Sequence, residues 1–156
     1  MRISLRKAQA KDCRQLWLWR NNADVRRNSF SSRPVSYKRH QAWFQSKQAD
    51  PRTSIYVGMC SGAAFGMIRL EFNPKNTAAV HLCVKSSARG RGLGAVLLKA
   101  GCQAAERRGV RRIEALVLEA NGASLRVFEK NFFKPSKRLT HNGKRTVLLI
   151  RRVLNK

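Results

Sequence analysis

Acidic residues are scarce in this chain of 156 residues, in which eight Asp and Glu stand against 33 Lys and Arg. The resulting formal net charge of +25 predicts attraction to polyanions, whatever else the protein does. Nucleic acid or the ribosome is therefore one candidate partner. We favour a plainer interpretation, a general arginine bias combined with anionic small ligands, because the basic residues are dispersed along the chain and form no basic tail.

Long apolar runs and clustered metal ligands are also missing. No apolar stretch approaches the roughly 18 residues that a membrane-spanning helix needs, and the N-terminus has no signal-peptide pattern. We therefore expect a cytoplasmic protein without a membrane span. The three histidines lie far apart in sequence, and no two of the four cysteines have CxxC spacing, which predicts free thiols and no metal site.

Apolar residues make up 43% of the chain, enough for one folded domain over residues 1–156. Their periodicity predicts the order β, α, α, β, β, β, loop, α, β, α, β, β, and hence a mixed sheet with helices on both faces. The predicted strands are 3–8, 54–60, 63–72, 77–84, 112–118, 132–139 and 144–153. The predicted helices are one capped by Asp12 that ends near 19–22, 37–48 capped by Ser36, 93–108 and 122–131, with a polar segment at 23–34.

A glycine-rich loop, residues 84–95, lies between an apolar strand and a helix. Glycines let a backbone approach a phosphate, and the N–H groups of the first helical turn point at the anion. Two arginines, Arg89 and Arg91, lie in the loop itself, so we predict a pyrophosphate site. The loop follows the fourth predicted strand, with no suitable acidic residue about 20 positions later and no Gly-Lys-Ser/Thr sequence. Those features exclude a dinucleotide fold and a P-loop NTPase.

Residues 89–94, Arg-Gly-Arg-Gly-Leu-Gly, match the pattern Arg/Gln-x-x-Gly-x-Gly/Ala and resemble the acetyl-CoA loop of the GCN5-related N-acetyltransferases (GNAT). Residues 121–133, with Asn121, Ser124 and Phe128, resemble the last helix of that superfamily. The resemblance covers nearly the whole chain. It implies the GNAT fold, an α/β fold with a mixed, mostly antiparallel central sheet, helices on both faces and a splayed acetyl-CoA cleft. It also implies acetyl-CoA as the co-substrate, without a metal.

The N-terminal half resembles the N-acetyltransferases of nucleotide-linked amino sugars, in particular the enzyme of the pseudaminic-acid pathway. Segments 16–21, 24–30 and 40–44 carry this second resemblance. It implies a small-molecule amine acceptor, a nucleotide sugar. Ribosomal-protein acetyltransferases share parts of the pattern, so two alternatives stay open: a ribosomal-protein amine as acceptor, or a non-catalytic module that binds acetyl-CoA or nucleic acid. The sequence also leaves open whether the chain forms a homodimer.

The GNAT resemblance implies roles for the residues around the loop. Backbone N–H groups from Arg91 to Ala95 would hold the pyrophosphate, an arginine would hold the 3′-phosphate, and the strand before the loop would bind pantetheine through its backbone. Asn121 and Ser124 would contact pantetheine or its thiol end, and Phe128 would form an apolar wall. The implied cofactor-binding set is Leu82, Cys83, Val84, Arg89, Gly90, Arg91, Gly92, Leu93, Gly94, Ala95, Asn121, Ser124 and Phe128.

Acetyl transfer needs an amine that has lost its proton, a donor for the oxyanion and a proton for the departing thiolate. Many family members use a tyrosine on the last helix as the acid. Phe128 holds that position here, so Ser124 or water is expected to assist. His81 and Glu71 are the predicted base candidates, because both could face the cleft and His81 has an ordinary pKa near neutral pH. Glu119 is a third candidate.

The first two predicted helices and the segment between them are expected to bind the acceptor. Arginine side chains there could hold a nucleotide diphosphate, because guanidinium groups fit phosphate. Phe30 could stack on a base or sugar, and His40 could orient a sugar hydroxyl. The predicted acceptor-binding set is Arg20, Asn21, Arg26, Ser29, Phe30 and His40.

Overall fold

The structure is a computed structural model that describes residues 2–154. The strands are β1 Ile3–Lys7, β2 Thr53–Cys60, β3 Ala63–Asn73, β4 Thr77–Val84, β5 Arg112–Leu118, β6 Lys134–His141 and β7 Lys144–Arg152. The helices are α1 Cys13–Asn21, α2 Ala23–Arg27, α3 Tyr37–Ala49, α4 Leu93–Arg107 and α5 Gly122–Lys130. The predicted order of elements is confirmed, with α2 as an additional helix in the polar segment that follows α1.

The seven strands form one sheet in the order β1-β2-β3-β4-β5-β7-β6. Neighbouring strands are antiparallel except for β4 and β5, which run parallel. This confirms the predicted α/β fold with a mixed, mostly antiparallel sheet. The parallel pair follows from the connection, since α4 carries the chain back over the sheet between β4 and β5.

Helices cover both faces of the sheet, and each face has its own apolar core. The larger core lies under α4 and α5, where Leu97, Leu98 and Phe128 pack on residues of the central strands such as Ile68. The smaller core lies under α1 and α3 and contains Cys13, Leu16, Phe44 and Ile55. No helix in the described part of the chain is both long and apolar enough to cross a membrane.

Two helix caps show where local sequence does and does not decide structure. Ser36 caps α3 as predicted, because its Oγ accepts the N–H of Arg39 at 3.2 Å. Asp12 occupies the N-cap position of α1 as predicted, but its side chain makes no capping bond to that helix. Its buried carboxylate instead accepts both Nη groups of Arg6 at 2.8 Å and the Gln9 N–H at 2.7 Å. A nearby cation therefore outweighs the local capping preference.

The start of strand β6 also differs from the prediction. The strand that was expected from residue 132 begins at Lys134, because the chain first closes the end of α5. Phe132 has a φ of 67°, and the Phe133 N–H donates to the Phe128 carbonyl at 3.1 Å. This arrangement satisfies a carbonyl at the C-terminus of α5 before the chain enters the sheet.

Candidate functional site

The two parallel strands separate after a short pairing, and this opens a cleft in the middle of the sheet. Thr77–Ala79 pair with Arg112–Glu114, and beyond these residues no pairing joins β4 to β5. The cleft has a volume of about 720 Å³ and is lined by the second halves of both strands. The splayed cleft that the sequence resemblance implied is therefore present.

The backbone of β4 presents hydrogen-bonding groups to this cleft. The Lys85 N–H donates to the Phe65 carbonyl of β3 at 2.9 Å. Since residues of an antiparallel strand alternate between neighbours, Leu82 and Val84 direct their N–H and carbonyl groups away from β3, toward the side from which β5 has separated. Cys83 turns its backbone toward β3, and it is its side chain that lines the cleft. The predicted backbone role of this strand thus fits Leu82 and Val84 and does not fit Cys83.

The glycine-rich loop leaves an open surface at the start of α4. Gly90 and Gly92 have φ values of 76° and 75°, a backbone conformation that side chains disfavour. A Cβ atom at either position would meet nothing within 4 Å. The first N–H groups of α4, those of Leu93, Gly94 and Ala95, have no partner inside the helix and form an anion-binding geometry.

The two loop arginines lie differently. The Nε–H of Arg89 donates a hydrogen bond to the Val84 carbonyl at 3.4 Å, so the Arg89 side chain lies against the end of β4. Arg91 lines a second cavity of about 430 Å³ together with Lys85. Neither arginine lines the main cleft.

Helix α5 forms one wall of the cleft. The Asn121 Oδ1 accepts the Ser124 N–H at 3.2 Å, so Asn121 caps α5 while both residues also line the cleft. Phe128 is 2% exposed and packs edge-on against Phe133 at 5.0 Å between ring centroids. Neither of the two tyrosines of the chain lines the cleft, which leaves Ser124 as the hydroxyl donor on this wall.

The structure separates the two predicted base candidates. His81 lines the cleft, whereas Glu71 does not. Glu71 forms ion pairs with Arg69 Nε at 2.8 Å and Lys47 Nζ at 3.1 Å. Burial acts to raise the pKa of Glu71, but the charges and hydrogen bonds of Arg69 and Lys47 outweigh it and hold the pKa below its ordinary value. Glu71 is therefore an ionised ion-pair partner.

His81 does not keep in the fold the ordinary pKa that made it a base candidate. Burial, together with the nearby charge of Arg69, lowers its pKa to about 4 despite the opposing effect of Glu71. The imidazole is neutral at pH 7 and is a weak base. It can accept a hydrogen bond from an amine in the cleft, but it takes up a proton far less readily than an ordinary histidine.

Carboxylates are absent from the cleft. All eight acidic residues lie within residues 2–154, and none of them lines it. Glu119, the third base candidate, faces Arg145 Nε at 3.2 Å and Arg138 Nη1 at 3.7 Å. The cleft lining instead contains four arginines: Arg20, Arg33, Arg39 and Arg69.

Two of the predicted acceptor residues have structural tasks. Asn21 exchanges two hydrogen bonds with the backbone of Val35, at 2.7 and 2.9 Å. Arg26 donates to the carbonyls of Asn21 at 3.0 Å and Ser32 at 3.1 Å. These side chains shape the segment between α1 and α3, and neither lines the cleft. Arg20 and His40, by contrast, both line it.

The segment between α2 and α3 reaches over the cleft and contacts the β6–β7 turn. Lys144 Nζ donates to the Ser29 carbonyl at 2.8 Å, and Phe30 packs edge-on against His141 at 4.7 Å between ring centroids. Ser29, Phe30 and His141 all line the cleft. Sequence reasoning missed His141 and Lys144, which are over 100 residues from Ser29 and gave no local signal.

The four cysteines are free thiols. Burial raises the pKa of Cys83 to about 11, although nearby arginines act in the opposite direction, so this cleft thiol stays protonated and is a poor nucleophile. His40, His81 and His141 all line the cleft. Even so, the described residues contain no group of three His, Cys, Asp or Glu side chains placed to hold a metal ion.

Comparison with known proteins adds family and fold relationships. Residues 18–132 match the model of the acetyltransferase (GNAT) family. No curated protein matches the chain. An N-acetyltransferase from Staphylococcus aureus Mu50 is 23% identical, with coverage of 97% of this chain and 99% of the other and a TM-score of 0.81.

Two further solved structures share the fold at low identity. A spermidine N-acetyltransferase from Vibrio cholerae, in complex with CoA and spermine, is 16% identical, covers 96% of this chain and 95% of its own, and has a TM-score of 0.87. An aminoglycoside acetyltransferase in complex with coenzyme A is 17% identical, and the match covers 97% of this chain and 95% of the other, with a TM-score of 0.83.

Proposed function

This chain belongs to the acetyltransferase (GNAT) family, and on that premise we propose that it transfers the acetyl group of acetyl-CoA to the amino group of a nucleotide-linked amino sugar. The observation that carries the proposal is the separation of β4 from β5 beside an open glycine loop at the start of α4. An extended pantetheine arm fits between two unpaired strand edges, and a pyrophosphate fits the N–H groups of a helix N-terminus.

The residues present fit acetyl-CoA. The outward backbone groups of Leu82 and the outward N–H of Val84 would pair with the amides of pantetheine, and Phe128 would cover its apolar side. The open loop at Gly90 and Gly92 would let the backbone approach the phosphates closely. When bound, acetyl-CoA supplies the thioester carbon that an amine can attack.

A direct transfer within a ternary complex suits the cleft. The amine nitrogen would form a bond to the acetyl carbon, the carbon–sulfur bond would break, and the proton lost by the amine would pass through Ser124 or water to the departing thiolate. A backbone N–H of β4 would donate to the carbonyl oxygen as charge develops there. His81 would accept a hydrogen bond from the neutral amine, and Ser124 would donate toward the departing sulfur. The protonated thiol of Cys83 argues against a covalent acetyl-enzyme step.

The acceptor assignment is supported by charge. Four arginines and no carboxylate line the cleft, which is unfavourable for a polycationic amine and favourable for an amine attached to phosphate. The structural neighbours named for spermidine and aminoglycosides share the fold, but their named substrates are cationic and do not match this lining. A nucleotide diphosphate carries the complementary charge.

An acceptor panel tests the proposal. Release of the CoA thiol is measured with a UDP-linked 4-amino sugar, a ribosomal-protein N-terminal peptide, spermidine, and no acceptor. We expect acceptor-dependent release with the UDP-linked sugar at a kcat/KM at least tenfold above that with spermidine. Faster release with the peptide would replace the proposed acceptor by a ribosomal-protein amine. Binding of acetyl-CoA without release for any acceptor would favour a non-catalytic module.

The charge of the whole chain supports a second property of the protein. The net charge of +25 already includes all eight carboxylates, and seven of these lie within 4.0 Å of an arginine or lysine, so the excess cations have no carboxylate left to pair with. We infer that the surface associates with nucleic acid through phosphate contacts. Such binding is compatible with either acceptor, because it involves the outer surface and not the cleft.

A further inference from the structure

At the end of the cleft formed by α1 and α3, three buried nitrogen atoms make no hydrogen bond within the described chain: Arg20 Nη1, His40 Nε2 and Arg69 Nε. Of these, Arg69 Nε still lies 2.8 Å from the Glu71 carboxylate, which leaves Arg20 and His40 without a partner. Both residues line the cleft. His40 is only 6% exposed, and its ring stacks on Phe44 at 6.3 Å between centroids, so the ring is held in place. Native proteins pair almost all buried polar groups, and a free pair at one wall of a cleft indicates that a ligand supplies the partner.

The same end of the cleft has an excess of positive charge. The carboxylate of Glu71 pairs with both Arg69 at 2.8 Å and Lys47 at 3.1 Å, and Arg20 lies near enough to Arg69 and His40 for its charge to act on both. The Arg69 side chain is 18% exposed. Burial and the nearby charge of Arg20 both lower the pKa of Arg69, although Glu71 acts in the opposite direction. Partly buried cations of this kind favour an anion beside them.

We propose that Arg20, His40 and Arg69 form a seat for a diphosphate or phosphate group of the acceptor, separate from the glycine loop that would hold the phosphates of acetyl-CoA. The inference rests on the proposed function, in which this end of the cleft receives the acceptor. The three cations Arg20, Arg69 and Lys47 against the one carboxylate of Glu71 leave two positive charges, which a dianionic group balances and a single carboxylate does not. The planar guanidinium of Arg20 suits two phosphate oxygens.

The seat also restricts where the amine can lie. The charge of Arg20 acts on the thiol of Cys83, which faces the cleft from β4, beside the backbone groups of Leu82 and Val84. The anion and the acetyl group would therefore lie at neighbouring points of one cleft. An acceptor whose amine and phosphate lie at opposite ends of a long molecule could not place its phosphate at Arg20 and its amine at the acetyl group at the same time.

The experiment is calorimetric titration of inorganic pyrophosphate into the protein saturated with CoA, so that the glycine loop is already occupied. We expect binding that weakens at least tenfold in Arg20→Gln and in His40→Gln. The matched control is Arg107→Gln, which removes the same charge from an exposed position at the end of α4. Its affinity should stay within twofold of wild type. Thermal unfolding of each variant separates lost binding from lost folding.

Three results would overturn the seat. One is unchanged pyrophosphate affinity in folded Arg20→Gln. Another is an equal loss in Arg107→Gln, which would show diffuse attraction to a cationic protein. The third is tighter binding of malonate than of pyrophosphate, which would assign the site to carboxylates.

The titration measures no acetyl transfer, so the two proposals fail separately. If pyrophosphate binding depends on Arg20 but the protein acetylates no amine, the phosphate site is supported and the proposed function is refuted. If the protein acetylates a UDP-linked amino sugar and Arg20→Gln leaves that activity unchanged, the proposed function is supported and the phosphate site is refuted. If CoA does not bind, the loop stays open to pyrophosphate, and only the loss of affinity in Arg20→Gln and His40→Gln relative to Arg107→Gln reports on the proposed site.

Discussion

His81 shows how much one buried side chain depends on its neighbours. It lies on β4 directly opposite Arg69 of β3, and Glu71 lies two residues further along β3. Burial and the charge of Arg69 lower the pKa of His81 to about 4, so the folded protein holds the ring neutral throughout the physiological range. The pKa of an unperturbed histidine, near 6.5, thus describes only the unfolded chain.

This difference predicts a pH-dependent stability. Between about pH 6.5 and pH 4 the unfolded chain binds a proton at His81 that the folded protein excludes, so the folded state loses stability as the pH falls. The loss should be on the order of 3 kcal/mol by pH 4. Denaturant unfolding of wild type and His81→Gln measures it, because the variant should lack this part of the pH dependence. Parallel pH curves for the two proteins would contradict the lowered pKa.

Gly92 is the residue at which the acetyl-CoA assignment is most directly tested. Its φ of 75° penalises any side chain, and a Cβ atom there would meet no other atom within 4 Å. We expect Gly92→Glu to abolish acetyl-CoA binding, because it adds bulk and negative charge where the pyrophosphate would lie. The control Gly92→Ala introduces the backbone strain, about 1–2 kcal/mol, without the charge, and should still bind. Calorimetry with acetyl-CoA distinguishes them, and normal binding by Gly92→Glu would show that the loop holds no phosphate.

At the scale of elements, β4 is the strand on which the site depends. It pairs with β3 along its whole length and with β5 over three residues, so one edge is fixed and the other is free. Its side chains alternate between the core under α4 and the cleft, while its free backbone edge faces the gap to β5. In the proposed function, the position of β4 therefore affects the binding of both acetyl-CoA and the acceptor.

A substitution on β3, at the residue that pairs with the end of β4, tests this dependence. A Cβ atom on Gly66 would lie 2.7 Å from the Cys83 carbonyl and 3.1 Å from Leu97 Cδ2, so Gly66→Ala should push β4 away from β3. We expect a loss of roughly 1–3 kcal/mol in stability and weaker acetyl-CoA binding. Gly62→Ala is the control, because its φ of 86° costs stability at a turn where a Cβ would meet no atom within 4 Å. Equal acetyl-CoA affinity in the two variants would show that the clash does not reach the cleft.

At the scale of the whole molecule, the charge of +25 makes salt dependence the informative measurement. Strand β6 is an exposed edge of the sheet that carries Lys134, Lys137 and Arg138. Cations on an edge strand discourage pairing with another sheet and at the same time offer contacts to phosphate.

We predict that RNA affinity falls about a thousandfold or more between 50 and 200 mM salt, as expected for six or more phosphate contacts. Replacement of Lys134 and Lys137 by Gln should reduce the slope of log affinity against log salt by about two. Filter binding over a salt series measures both values. A shallow slope in wild type would restore the plainer interpretation, a general arginine bias without a nucleic-acid partner.

Much of the fold could be predicted from the sequence, because its signals are local. The strand 77–84 and the strand 112–118 have the predicted bounds, since apolar residues and flanking turns mark both ends. The loop at Gly90 and Gly92 was also predictable, because only glycine readily adopts its backbone conformation beside an anion site. Helix α2 was missed, since five residues capped by Asn22 give no periodic pattern.

The chemistry of the cleft was decided by tertiary structure. Residue types alone suggested His81 and Glu71 as bases, but a pKa depends on burial and on charges that the fold brings from other elements. Arg69 and Lys47 form ion pairs with the Glu71 carboxylate, and burial together with the charge of Arg69 keeps His81 neutral. The sequence by itself determined the order of the elements and the glycine-rich loop, because the spacing of apolar residues and the positions of glycines are properties of residues close together in the chain. Only the folded chain determined which side chains meet across the cleft, because contacts such as Lys144 with Ser29 join residues that are distant in sequence.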